Sequence, residues 1–205
     1  SVADWDHDGL PDIVFNSILG KVGWLKNINT RTEPQFAAAE AIEVEWPGNP
    51  PKPEWTWWTP HPQELVTQWR TTPFVVDMNS DGLVDLVMLD SEGVLAYFER
   101  ARRDNRLVLL PPRRLLCNSQ GEPLRLSVKP AGGSGRRKLC VADWDGDGQL
   151  DLLLNSANAD LYRGLGRHND QWRFERVGTL ADQSIEGHDV SPTTVDFDCD
   201  GVPDF

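Results

Sequence analysis

Four times in this chain, four oxygen-bearing side chains crowd into nine residues around one glycine. The segments are Asp4-Trp-Asp-His-Asp-Gly-Leu-Pro-Asp12, Asp77-Met-Asn-Ser-Asp-Gly-Leu-Val-Asp85, Asp143-Trp-Asp-Gly-Asp-Gly-Gln-Leu-Asp151 and Asp196-Phe-Asp-Cys-Asp-Gly-Val-Pro-Asp204. Carboxylates this close repel one another at a cost of several kcal/mol unless a cation intervenes. Side-chain oxygens at positions 1, 3 and 5 turn inward when the backbone curls, and the glycine at position 6 permits the sharp turn. Position 7 offers its carbonyl and the last Asp closes the shell. Six or seven hard oxygens suit Ca²⁺ better than Mg²⁺, which keeps its waters. The expected ligands are Asp4, Asp6, Asp8, Leu10 and Asp12 in the first loop, and Asp77, Asn79, Asp81, Leu83 and Asp85 in the second. The third loop offers Asp143, Asp145, Asp147, Gln149 and Asp151; the fourth offers Asp196, Asp198, Asp200, Val202 and Asp204.

These loops explain the charge of the chain. They hold 15 of its 32 acidic residues, so the remainder carries 17 acids against 20 bases and the net −12 belongs to the loops. Such acidity argues against a generic nucleic-acid binder, whose footprint is basic. No apolar run approaches the roughly 18 residues that mark a membrane span.

The loops are not EF-hands, which need an acidic ligand at position 12; the equivalent residues here are Phe15, Met88 and Leu154. Those residues belong to short apolar runs, Ile13–Phe15, Leu86–Leu89 and Leu152–Leu154. Matching runs, Phe74–Val76 and Leu139–Ala142, precede the second and third loops. Short, branched-rich runs between turns predict buried strands, so each loop joins strand to strand. A third strand is predicted at Val22–Leu25, Val94–Phe98 and Asp160–Tyr162, and a fourth around Phe36–Val44, Leu107–Leu110 and Trp172–Val177. The loops begin at 4, 77, 143 and 196. Four antiparallel strands recurring at such a period predict an all-β fold of propeller blades. The units fall at about 1–70, 71–136, 137–192 and 193–205. Thrombospondin-type calcium arrays use similar loops, but closer together and with little strand between them.

The loops in this strand context resemble the FG-GAP or VCBS repeats of integrin-α-type propellers, common in large secreted bacterial proteins. Neither Phe-Gly nor Gly-Ala-Pro occurs, so the likeness rests on the calcium-loop half of that signature. It implies a β-propeller segment of three to four blades from a parent of seven or eight, the remaining blades being its first partners. It also implies up to four structural Ca²⁺ ions. Calcium loops of this kind fill where calcium is millimolar, which predicts an extracellular, cell-surface or periplasmic location.

If the calcium loops join strands one and two, the strand-four-to-one crossovers lie on the opposite face, the usual binding surface of such propellers. The first crossover, about 46–70, carries Trp46, Trp55, Trp57, Trp58 and Trp69, with six prolines between 47 and 62. Proline stiffens the loop and indole rings present flat apolar faces. They either stack on sugar rings or fold inward as the loop's own small core. The second crossover is basic: residues 100–138 hold eleven Lys or Arg against Asp104 and Glu122, ending in Arg136, Arg137 and Lys138 behind a glycine-rich stretch. It reads either as an anion cradle for an acidic polysaccharide or as a solvated outer surface. The expected partners are therefore carbohydrate or a protein ligand.

Some secreted propellers of the resembled type are polysaccharide lyases. Their β-elimination needs a cation to neutralise a uronate carboxylate and a base to take the C5 proton. His61 or His188 as base, with Arg70 or Arg136 as neutraliser, would supply both. A binding module and a lyase thus stand as alternatives. No nucleophilic triad motif occurs, and Cys117, Cys140 and Cys199 lack metal or redox spacing, leaving a 117–140 disulfide open.

Overall fold

The computed structural model describes residues 1–53, 56–126, 137–156, 159–180, 192–199, 201 and 203–204. Among them every regular element is a strand, and the chain divides into two compact units. The first comprises Ser1–Arg113 with Arg125–Arg136; the second comprises Arg114–Leu124 with Arg137–Phe205.

In the first unit, β1 (Val2–Ala3), β2 (Asp12–Asn16), β3 (Val22–Leu25) and β4 (Glu40–Ala41) form one antiparallel sheet in chain order. A second antiparallel sheet holds β5 (Phe74–Val76), β6 (Asp85–Leu89) and β7 (Leu95–Phe98). After Glu99 the chain continues as β8 (Arg100–Arg103), which turns at Asp104 and Asn105, both with positive φ, into β9 (Arg106–Leu109). The returning strand then meets β7 again through paired hydrogen bonds between Tyr97 and Arg113. The expected fourth strand at Leu107–Leu110 is therefore the return arm of a hairpin.

Branched apolar residues decide which strands lie innermost. Every residue of β6 is buried, as is every residue of β7, the pattern of strands covered on both faces. Val14 and Val22 from the first sheet, with Ile42 just after β4, pack with Val75, Leu86, Met88 and Phe98 from the second, and Trp5 of the first loop joins that core.

Among the described residues of the second unit, the strands form one five-stranded sheet. Its antiparallel part runs β11 (Leu139–Ala142), β12 (Asp151–Leu154), β13 (Asp160–His168) and β14 (Gln171–Thr179). A fifth strand, β10 (Leu116–Asn118), adds to β14 in parallel, with Leu116 opposite Trp172. This strand comes from the stretch assigned by sequence to the second repeat. Its side of the ladder is apolar enough to bury: Leu116, Cys117 and Phe174 are all covered. All three cysteines are free thiols, Cys117 and Cys140 buried and Cys199 exposed.

Candidate functional site

The four acidic loops fold alike wherever they are described. The first three join a first strand to a second, and in all four the residue before the loop pairs with its ninth residue: Ala3 with Asp12, Val76 with Asp85, Ala142 with Asp151, and, as an isolated bridge, Val195 with Asp204. The position-6 glycine takes φ between 84° and 92°, a left-handed turn that side chains with a Cβ resist. Its N–H donates to the first carboxylate: Gly9 to Asp4, Gly82 to Asp77, Gly148 to Asp143 and Gly201 to Asp196, at 2.9–3.0 Å. Leu10, Leu83 and Gln149 donate their N–H groups to the fifth-position carboxylates Asp8, Asp81 and Asp147. The loop is thus curled by its own backbone around its carboxylates.

The ninth aspartate has a second task that the sequence reading missed. Asp12, Asp85 and Asp151 are at most 1 % exposed. One oxygen of each accepts the N–H of loop position 2, from Trp5, Met78 and Trp144 at 2.9–3.1 Å. The other accepts an N–H from just beyond the third strand, at Asn27 and Arg100, or within it, at Gly164, at 2.7–2.8 Å. In the fourth loop Asp204 accepts from Phe197. Asp12, Asp85 and Asp151 thus pin their loops to backbone beyond the loop. Gly164 shows how closely the strand approaches: a Cβ there would lie 2.3 Å from the Leu150 carbonyl oxygen. Burial pushes the Asp85 carboxyl up to about 6 despite its two N–H donors, and raises Asp12 and Asp151 in the same direction.

What faces the centre of the first, third and fourth loops could hold a hard cation. Carboxylate oxygens of Asp4, Asp6 and Asp8 lie within 4.8 Å of one another, as do those of Asp143, Asp145 and Asp151, and of Asp196, Asp198 and Asp204. One oxygen of Asp6 and one of Asp143 are buried without a hydrogen-bond partner, acceptor capacity that a cation would use. In the second loop the Asn79 amide donates to Asp81. Asp200 and Val202 lie outside the described residues.

Among the described residues, basic side chains reach two of these loops. The Lys26 ammonium pairs with Asp6 and, at 2.7 Å, with Asp8; the Arg163 guanidinium lies 3.1 Å from Asp145. Lys26 holds the Asp8 carboxyl below its ordinary value, chiefly by hydrogen bonding. Neither base figured in the sequence reading, although each follows a loop at nearly the same interval. No family model matches the chain, and no curated protein or solved structure does either.

The aromatic crossover divides into an inward and an outward part. Trp46 packs against the core of the first unit and donates its indole N–H to the Glu64 carbonyl. Trp57 stands edge-on to Trp58 and to Trp69, at 5.1 and 5.5 Å between ring centroids, and is 67 % exposed. Glu64 organises the surrounding recess: it accepts from the Trp58 indole at 3.0 Å and from the His61 backbone at 3.2 Å, and pairs with Lys21. The Lys21 ammonium also sits over the Trp58 ring. The inward packing posed by the sequence is seen for Trp46, whereas Trp57 stands largely in solvent. Trp55 lies outside the described residues.

The basic crossover is less uniform than its composition suggests. Arg100 is 7 % exposed; its guanidinium stacks on the Trp5 ring at 3.8 Å and donates to the Trp5 carbonyl. Burial lowers it to about 10, so it remains charged at neutral pH and serves as a strut. Arg103 and Arg113 pair with Glu45 and Glu99. Arg137 donates to the Asn155 carbonyl, and the Lys138 backbone N–H donates to the Asn155 side chain. Arg136 and His188 lie outside the described residues. Arg70 adopts a positive φ of 57°, and among the described residues no hydrogen bond or ion pair joins it to His61.

Proposed function

We propose that this chain is a calcium-stabilised β-propeller segment of the FG-GAP/VCBS type, from a protein working outside the cytoplasm, that binds carbohydrate through its aromatic crossover. The observation that carries the reading is the recurrence of one loop geometry. Three loops gather carboxylates into a small space, two keep buried oxygens with no donor, and in the first three the ninth aspartate ties the loop to backbone beyond it. Asp4, Asp6 and Asp8, with their counterparts, would hold the ion. The ion would relieve their repulsion and fasten strand one to strand two, a structural part rather than a catalytic one.

Trp57 supports the ligand half of the proposal. A broad indole held edge-on by Trp58 and Trp69 yet largely in solvent is a pre-set platform for the C–H face of a sugar ring. Glu64, Lys21 and His61 beside it offer polar contacts for hydroxyl groups. The lyase alternative needs a base and a neutralising cation facing one substrate, and no contact between described residues favours it over binding.

The test has two arms. Calcium titration by calorimetry, with melting curves in calcium and in EDTA, should show binding and a clear rise in Tm; identical curves would end the calcium reading. A glycan array probed with the calcium-loaded protein and with Trp57→Ala should show binding that the substitution abolishes. Equal signals from both proteins would remove Trp57 from the site.

A further inference from the structure

Lys26, Glu99 and Arg163 occupy one structural position. Each directly precedes the residue whose N–H donates to the ninth carboxylate of its loop: Asn27 to Asp12, Arg100 to Asp85 and Gly164 to Asp151. From that position Lys26 reaches Asp6 and Asp8, and Arg163 reaches Asp145. Asp6 and Asp145 are both third-position residues of their loops. In the second loop both partners are exchanged together. The third position is Asn79, and the base is replaced by Glu99, which pairs with Arg113 instead. Among the first three loops, a base therefore appears where the loop carries four carboxylates and is absent where it carries three.

We propose that Lys26 and Arg163 are tethered counter-cations that compete with a divalent ion for the third-position carboxylates of loops one and three. The proposal rests on the calcium reading above. Without calcium, the base neutralises part of the charge cluster and keeps the loop folded. A Ca²⁺ ion sharing that carboxylate would sit about 2.4 Å from its oxygen, close enough to the ammonium or guanidinium to repel it. Binding therefore requires the base to swing away, and loops one and three hold calcium less tightly than their carboxylate count implies. The second loop has fewer charges and, among the described residues, no tethered competitor. The chain thus carries two kinds of cation site, one self-neutralised and one bare.

Lys26→Met and Arg163→Met test this, with Lys26→Arg as the charge-preserving control. Calcium affinity is read by calorimetry. It is also read by Ca²⁺ displacing Tb³⁺ whose emission is excited through Trp5 and Trp144, the second residues of loops one and three. Each Met variant should bind calcium more tightly at its own loop, on the order of three- to tenfold, and should melt at a lower temperature than wild type in EDTA. Lys26→Arg should stay near wild type on both measures. Unchanged or weaker affinity in both Met variants, beside a wild type that binds calcium, would overturn the counter-cation role and leave the calcium reading standing. No response to calcium in wild type or variants would overturn both.

Discussion

Replacing Asp85 by alanine and by asparagine in calcium-free buffer separates the strand-pinning role of the ninth aspartate from any role as a metal ligand. Asp85 accepts two buried backbone N–H groups, from Met78 at 3.1 Å and Arg100 at 2.8 Å. Both substitutions remove the charge, and with it the cost that burial places on a carboxyl raised to about 6. That contribution cancels between the two variants. What differs is the acceptor: asparagine keeps one carbonyl oxygen, whereas alanine leaves both N–H groups without one. A buried unsatisfied donor costs about 1–3 kcal/mol, so Asp85→Asn should be more stable than Asp85→Ala by about that amount in EDTA. Asp81 is the internal control. Its oxygens accept from the exposed Leu83 N–H and from the Asn79 side-chain amide, and water replaces the lost bonds. The alanine and asparagine variants there should agree within about 0.5 kcal/mol in EDTA, while both lose stabilisation by calcium. Urea unfolding followed by tryptophan fluorescence provides the measurement. Equal stabilities for the two Asp85 variants, or as wide a separation at Asp81, would refute the pin.

Arg100→Met should cost about 1–3 kcal/mol through loss of the bond to the Trp5 carbonyl and the stack on its ring. Arg100→Lys should restore little, because an ammonium cannot reproduce the planar stack; thermal unfolding checks both. Gly82→Ala should cost about 1–2 kcal/mol from its φ of 87° alone, since nothing lies near the added methyl. Gly164→Ala should cost more, because the Leu150 carbonyl blocks its Cβ; a reversed order in urea melts would contradict the geometry. Trp57→Ala should leave stability within about 0.5 kcal/mol, whereas Trp46→Ala, packed on the core, should lose about 3 kcal/mol. Comparable losses would show that Trp57 is a core residue too.

The sequence alone determined that this is an all-β chain built around four acidic turns. Both features are local: short branched-apolar runs dictate strands, and alternating carboxylates with glycine at position 6 dictate a curled loop. Val22–Leu25 and Phe74–Val76 appear with the bounds the pattern implied. What the sequence could not assign was the use of each charge. Arg100 stands in a run of bases yet is buried, because the chain carries it onto Trp5, 95 residues away. Lys26 and Arg163 look like ordinary surface bases until the register of the third strand delivers them to Asp6 and Asp145. The parallel pairing of Leu116–Asn118 with the sheet edge is equally invisible, since it depends on which open edge an apolar segment finds. Asp12, Asp85 and Asp151 read as four-square members of a metal shell, but the fold also buries them against strand N–H groups, and only a backbone brought in from more than ten residues away makes them pins.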